Sequence, residues 1–251
     1  MRNLRAALVF LTRIPLRLGF EPSLTSAVPW FPVAGALIGC VVGAAAAGLQ
    51  HLVPPGVAAA VAVMLGVLVT GAFHEDGLAD VADAFGGGWT IEARLRILKD
   101  PLHGSYGVAA FCGSIVIRVA CVTALGVSPA ATFGCLVAAH AMARGGSVAA
   151  MGLVPVAREE GLGADYARSL SGRAAAGGVL AAIALGGLAT GWWVGPFIAA
   201  TAVGTAAVVW LAKRKIGGVT GDVLGAIEQI NEFLILVVAT GLATRFTLWW
   251  R

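Results

Sequence analysis

The chain has 251 residues, 59% of them hydrophobic and 12% charged, with a mean hydropathy of +0.89. Soluble domains average about 45–50% apolar and about 25% charged residues, so an ordinary soluble domain is excluded and a polytopic membrane protein is indicated. The net charge of +4 comes without the basic and aromatic pattern of a nucleic-acid surface, which excludes nucleic acid as a partner and leaves contact with anionic lipid.

Residues 1–20 carry Arg2, Arg5, Arg13 and Arg17 but no small-residue cleavage site; this predicts an interfacial helix rather than a signal peptide. Apolar runs follow near 30–53, 55–73, 105–127, 129–152, 174–191, 193–211 and 233–250, each close to the ~20 residues that cross a bilayer. The expectation is an all-α transmembrane bundle of about seven spans, one domain over 1–251, with short interfacial helices on the cytoplasmic side. Pro54-Pro55, Ser128-Pro129 and Gly195-Pro196 break consecutive runs into hairpins. Thirteen Lys and Arg residues then fall on one side: the four before the first span, Arg94, Arg96 and Lys99, Arg158, Arg168 and Arg173, and Lys213, Arg214 and Lys215. The positive-inside rule makes that side cytoplasmic. Cys40, Cys112, Cys121 and Cys135 lie inside spans without metal or redox spacing and read as small hydrophobes.

Behind the second apolar run stands His74-Glu75-Asp76-Gly77-Leu78-Ala79-Asp80-Val81-Ala82-Asp83. On a helix, Asp76, Asp80 and Asp83 share one face at i, i+4 and i+7. Like charges on one stripe repel unless a cation joins them, and Mg²⁺ pairs one or two carboxylates with substrate phosphates. A second acidic segment, 217–232, opens with Gly217-Gly218-Val219-Thr220-Gly221-Asp222, a tight loop whose N–H groups suit an anion. It continues with Glu228 and Glu232 one turn apart. Both segments fall on the cytoplasmic side and are expected to meet over one metal-phosphate centre. There is no Walker-type loop, so a nucleoside triphosphatase of that class is unexpected.

Between them, the block Arg96 to Gly107 turns at Pro101 and Gly104 into the third span, projecting Lys99 towards phosphate and Asp100 towards the metal. Arg144 lies inside a span with His140 one turn earlier. Intramembrane charge is costly, so Arg144 is read as a phosphate clamp, the alternative being a structural pair with a carboxylate. Arg118 is a weaker candidate for the same role and is read first as a lipid-facing or structural contact.

These blocks in this order resemble the cobalamin synthase family of membrane transferases. The similarity is carried by Phe10-Leu11-Thr12-Arg13-Ile14-Pro15, Trp30-Phe31-Pro32-Val33-Ala34-Gly35, HEDGLADVADAFGGG at 74–88, KDPLHGSYG at 99–107 and GGVTGDVLGAIEQINE at 217–232. The resemblance implies an Mg²⁺-dependent enzyme of the bacterial cytoplasmic membrane, its site facing the cytoplasm. α-Ribazole or its 5′-phosphate would attack the cobinamide-linked phosphorus of adenosylcobinamide-GDP and expel GMP, and association with other enzymes of cobalamin assembly is a further expectation. With that chemistry, Asp76, Asp80, Asp83, Asp222 and Glu228 are assigned to metal. Lys99, Asp100, Arg144, Thr220, Gly221 and Glu232 are assigned to substrate, and a metal-bound carboxylate or His74 would orient the attacking hydroxyl.

Two other readings compete. CDP-alcohol phosphotransferases also use membrane aspartates, but their D-G-x-x-A-R element is not met by Asp76-Gly77-Leu78-Ala79-Asp80. A cation-coupled transporter would show internal repeats and charges on broken helices near the midplane.

Overall fold

The computed structural model describes residues 1–157, apart from positions 18, 20 and 22, and residues 170–248. Each expected apolar run is mainly helical, the last of them as far as Ala243, and no strand occurs among the described residues, where Val156 and Val219 form an isolated bridge. The chain opens with α1 (Arg2–Leu11), which buries Ala6, Ala7 and Leu11 and leaves Arg2 and Arg5 exposed, as an interfacial helix should. A single turn, α2 (Leu24–Ala27), leads into α3 (Phe31–Leu49). Then come α4 (Pro55–Thr70), α5 (Phe73–Gly87), the short α6 (Ile91–Ile97), α7 (Ser105–Leu125) and α8 (Pro129–Leu153). The chain ends with α9 (Gly172–Thr190), α10 (Val194–Ile216) and α11 (Gly221–Ala243). Arg158 and Arg168 of the expected cytoplasmic set lie outside the described residues.

By length and composition, four helical stretches can cross a membrane, or five if α4 and α5 count as one bent pair; α9 and α10 form one of these stretches. Both lie against the same part of α8, with Gly145 against Ala182 and Gly146 against Thr201 and Thr205, so they fold back on each other. Small residues set the spacing of the bundle: a Cβ on Gly39 would come within 2.7 Å of the Leu136 carbonyl oxygen, and Gly35 and Gly43 meet α8 one turn away on either side.

The element that matters most for the site is α5. Helix α4 ends in two consecutive left-handed residues, Gly71 (φ 68°) and Ala72 (φ 58°), the latter costly for a residue with a Cβ. They turn the chain by 89°. Helix α5 therefore leaves the direction of α4; with 15 residues and its aspartate stripe, it is too short and too charged to cross a membrane by itself. Its first turn is anchored by Phe73, which meets Phe10 edge-on at 5.4 Å, while Phe10 stacks on Phe31 at the same distance. Its end is tied to α10: Lys215 Nζ donates to the Phe85 carbonyl at 3.2 Å, and Arg94 Nη1 donates to the Lys215 carbonyl at 3.0 Å.

The last helix departs from expectation. The apolar run at 233–250 predicts a span starting near residue 233, but α11 is continuous from Gly221, capped by Thr220 Oγ1 accepting from the Val223 N–H at 3.3 Å. Glu228 and Glu232 are therefore inside the bundle. The helix expected at Glu228 and Glu232 is present, but its charge made this half look solvated at the cytoplasmic side. Its neighbours neutralise that charge, and a hydropathy pattern does not register them.

Helices α5 and α11 cross at Gly77 and Gly225. Gly77→Ala would set a methyl 2.8 Å from the Asp222 carbonyl oxygen, and overpacking of this kind costs about 1–3 kcal/mol. The variant is expected to show a lower thermal midpoint in detergent; an unchanged midpoint would contradict so close a crossing.

Candidate active site

Helix α5 has two chemical faces. Its inward side carries His74 and Glu75, both buried, and its outward side carries Asp76 and Asp80. The aspartate stripe expected at i, i+4 and i+7 does face one object, the turn between α6 and α7. His103 stands between the first two, with Nε2 3.2 Å from Asp76 Oδ1 and Nδ1 3.4 Å from Asp80 Oδ1. Asp83 is buried and accepts from the Gly104 N–H at 2.6 Å and the Gly107 N–H at 2.9 Å. It thus satisfies donors at the start of α7, which otherwise lack helical partners.

Asp222, in the first turn of α11, lies close enough for its charge to act on Asp80. Its carboxylate accepts from Thr220 Oγ1 at 3.2 Å. Burial, then the charges of Asp76 and Asp222, push the Asp80 carboxyl up to about 7, against a smaller opposing effect of His103. Burial is the larger cause, and the like charges of Asp76 and Asp222 add to it, so the carboxylates of two helices act on one another here. Beside it, a groove of about 470 Å³ begins at His103 and Gly104 and runs along α7 past Val108 to Cys112.

The other predicted residues lie elsewhere. Glu228 and Glu232 do not meet Asp76 and Asp80; they belong to a buried network of ion pairs. Arg118 Nη2 is 2.9 Å from Glu75 Oε1, and its Nη1 is 3.1 Å from Glu232 Oε1. His140 Nδ1 is 3.1 Å from Glu232 Oε2. Arg144 Nη1 is 2.7 Å from Glu228 Oε1 and donates to the His140 carbonyl at 2.9 Å. Gln229 links the set to α7: its Nε2 donates to Glu228 and its Oε1 accepts from Ser114 Oγ at 2.9 Å. His74 Nδ1 lies 3.7 Å from Glu228 Oε2.

Ligand atoms of His140, Glu228 and Glu232 lie within 4.8 Å of one another, as a metal site would require. However, the Arg118 and Arg144 guanidiniums already face these carboxylates, so the set reads as an internally paired network. Arg144 is 2% exposed and its charge is turned to Glu228, the geometry of its alternative reading as the partner of a buried carboxylate. Likewise Glu228, 0% exposed, is separated from the aspartate stripe, and Glu232 and His74 are turned into the same network.

At the loop, Lys99 is exposed and has no ion-pair partner among the described residues, while Asp100 Oδ1 accepts from the Leu102 N–H at 3.0 Å and so shapes the turn. Gly217 takes φ 83°, and Gly218 packs on the Pro155 carbonyl, whose oxygen accepts the Val219 N–H at 3.0 Å. The two glycines thus dock the loop on residues 155–157, leaving Thr220 and Gly221 at the mouth. The residue that the sequence reading missed is His103. Pro101 and Gly104 predict the turn that carries it, but that the turn returns to α5 rather than to α6 is set by tertiary packing.

A model of the cobalamin-5-phosphate synthase family matches residues 3–240 of the chain. Among curated proteins, the adenosylcobinamide-GDP ribazoletransferase of Ralstonia pickettii (strain 12J) is 38% identical, the alignment covering 92% of this chain and 91% of the relative. The protein of the same name from Mesorhizobium japonicum is 41% identical, over 93% and 90%. That from Shewanella frigidimarina is 33% identical, over 94% of each. No solved structure matches.

Proposed function

Because the chain belongs to the cobalamin-5-phosphate synthase family, we propose that this membrane enzyme joins α-ribazole or α-ribazole 5′-phosphate to adenosylcobinamide-GDP, releasing GMP. The observation that carries the reading is the convergence of Asp76, Asp80, Asp222 and His103 at an open mouth beside the α7 groove. Neither competing reading has a comparable basis: the buried charges are paired, and the family match spans nearly the whole chain.

The donor set fits Mg²⁺. Asp76 and Asp80 on one helix and Asp222 on another lie close enough for their charges to act on Asp80, and carboxylate oxygens are the ligands that a hard cation takes. We propose Asp76, Asp80 and Asp222 as the residues that would hold it; when bound, such an ion neutralises charge developing on phosphate oxygens. The rest falls to the chain itself. Asp83 fixes the 104–107 backbone and so presents the His103 imidazole to the mouth. We assign proton acceptance from the attacking ribose hydroxyl to His103, at the mouth, rather than to the buried His74; one ring nitrogen must leave its aspartate to do so. Lys99, at the same rim, would attract the diphosphate as a point charge. The groove along α7 offers Val108 and Ala109 to an apolar part of a large substrate.

The direct test is incubation of purified protein with adenosylcobinamide-GDP, α-ribazole and Mg²⁺, with products identified by mass. Adenosylcobalamin and GMP in equal amounts, dependent on added Mg²⁺, are expected; absence of both overturns the activity. The proposed location is the bacterial cytoplasmic membrane with the mouth facing the cytoplasm. Ser105→Cys and Lys213→Cys, each in a cysteine-free background, should then react with an impermeant thiol reagent in inside-out vesicles. Preferential reaction in right-side-out vesicles would reverse the orientation.

A further inference from the structure

Helices α8, α9 and α10 line a half-open cavity of about 420 Å³ that takes no part in the site described above. It arises because the three helices approach on small residues and then diverge. Gly145 meets Ala182 and Gly146 meets Thr201 and Thr205, but Ala149, Val179 and Ala206 are too small to fill the space beyond. Water is a poor occupant, since a buried water needs two to four polar partners. The two hydroxyls lining the cavity are already engaged: Thr201 Oγ1 donates to the Phe197 carbonyl at 2.8 Å, and Thr205 Oγ1 accepts from Asn231 Nδ2 at 2.9 Å. Inside a bilayer, such a space takes hydrocarbon.

One end of the cavity is charged. On α10 the lining residues Thr205 and Val209 continue one turn further to Lys213 on the same face. Arg214 follows, lying over the Trp210 ring at 4.4 Å, and Trp210 is 55% exposed; aromatic rings of this kind sit at headgroup level. The first turn of α9 adds Arg173 at the same end. Lys213, Arg214 and Arg173 are all exposed, whereas Lys215 is spent on Phe85. From the apolar cavity and the cations at its lip we infer that the cleft is a binding site for one anionic phospholipid, an acyl chain in the cavity and its headgroup phosphate at Lys213 and Arg173.

Native mass spectrometry tests this on the full chain, after equilibration with mixed vesicles of phosphatidylglycerol and phosphatidylcholine. One phosphatidylglycerol per protein should be retained over phosphatidylcholine by about tenfold or more, since each cation near an anionic headgroup contributes. The double variant Lys213→Gln, Arg173→Gln should lose that preference yet still retain lipid. Ala206→Phe, which fills the cavity, should lose the retained lipid of either kind. Because the Phe variant can misfold, the charge variant stands as an independent arm. Equal retention of the two lipids by the unmodified protein overturns the proposal, as does a preference unchanged in both variants. So does a dimeric mass that vanishes with Ala206→Phe, which would show a second copy in the cleft instead.

Discussion

Asp76→Asn and Asp80→Asn are each expected to lower turnover by well over 100-fold while leaving the thermal midpoint in detergent near that of the unmodified protein. A neutral amide cannot share a divalent cation's charge, and loss of a direct ligand exceeds the about 10–100-fold cost of losing a group that only orients one. Stability is spared because Asp76 is exposed and Asp80 sits among like charges, so neutralising either relieves repulsion. Asp83→Asn should behave differently. Its carboxylate accepts two backbone N–H groups; an amide offers one acceptor oxygen and sets an NH₂ against the other donor. Since hydrogen bonds to charged groups contribute about 1.5–3 kcal/mol, a clear drop in midpoint should accompany any loss of activity. Turnover and Mg²⁺ titrations beside melting curves for all three variants make the check. Near-normal turnover at limiting Mg²⁺ in both Asp76→Asn and Asp80→Asn would remove the metal from this cluster.

Sequence spacing shows that Asp76, Asp80 and Asp83 share a face, because helical periodicity is local. It does not show what that face meets. The division of labour, two carboxylates at His103 and one on the 104–107 backbone, depends on how far the turn after Pro101 returns towards α5, which is a tertiary matter. The same limit explains Glu228 and Glu232. Their i, i+4 spacing was legible and their helix was expected, yet they were assigned to the mouth because an acidic segment reads as solvated. The partners that make burial tolerable come from α5, α7 and α8, and no local pattern pairs Arg118 with Glu75 and Glu232 across 43 and 114 residues. The all-helical fold and its glycine-rich packing, by contrast, follow from composition and apolar run length alone.

Arg144 carries the largest stability effect. Arg144→Met leaves Glu228, at 0% exposure, without its cation. Removing one partner of a buried pair costs about 3–5 kcal/mol, because the remaining charge stays desolvated. The expected result is a steep fall in thermal midpoint and in the yield of folded protein. Two further variants separate pairing from substrate contact. Arg144→Met combined with Glu228→Gln removes both charges and should recover a large part of the lost stability, since a pair deleted together leaves nothing unpaired. Arg144→Lys should cost less than Met, because the contacts to Glu228 and to the His140 carbonyl both come from the single nitrogen Nη1, and one ammonium can serve both. A clamp on substrate phosphate predicts the reverse pattern: an Arg144→Met protein that melts normally, binds adenosylcobinamide-GDP weakly, and is not rescued by Glu228→Gln. The network also joins α5 to the bundle through Glu75, Arg118 and Glu232. Partial unfolding there should therefore move the helix that presents Asp76 and Asp80, so activity should fall together with stability in Arg144→Met and return with it in the double variant.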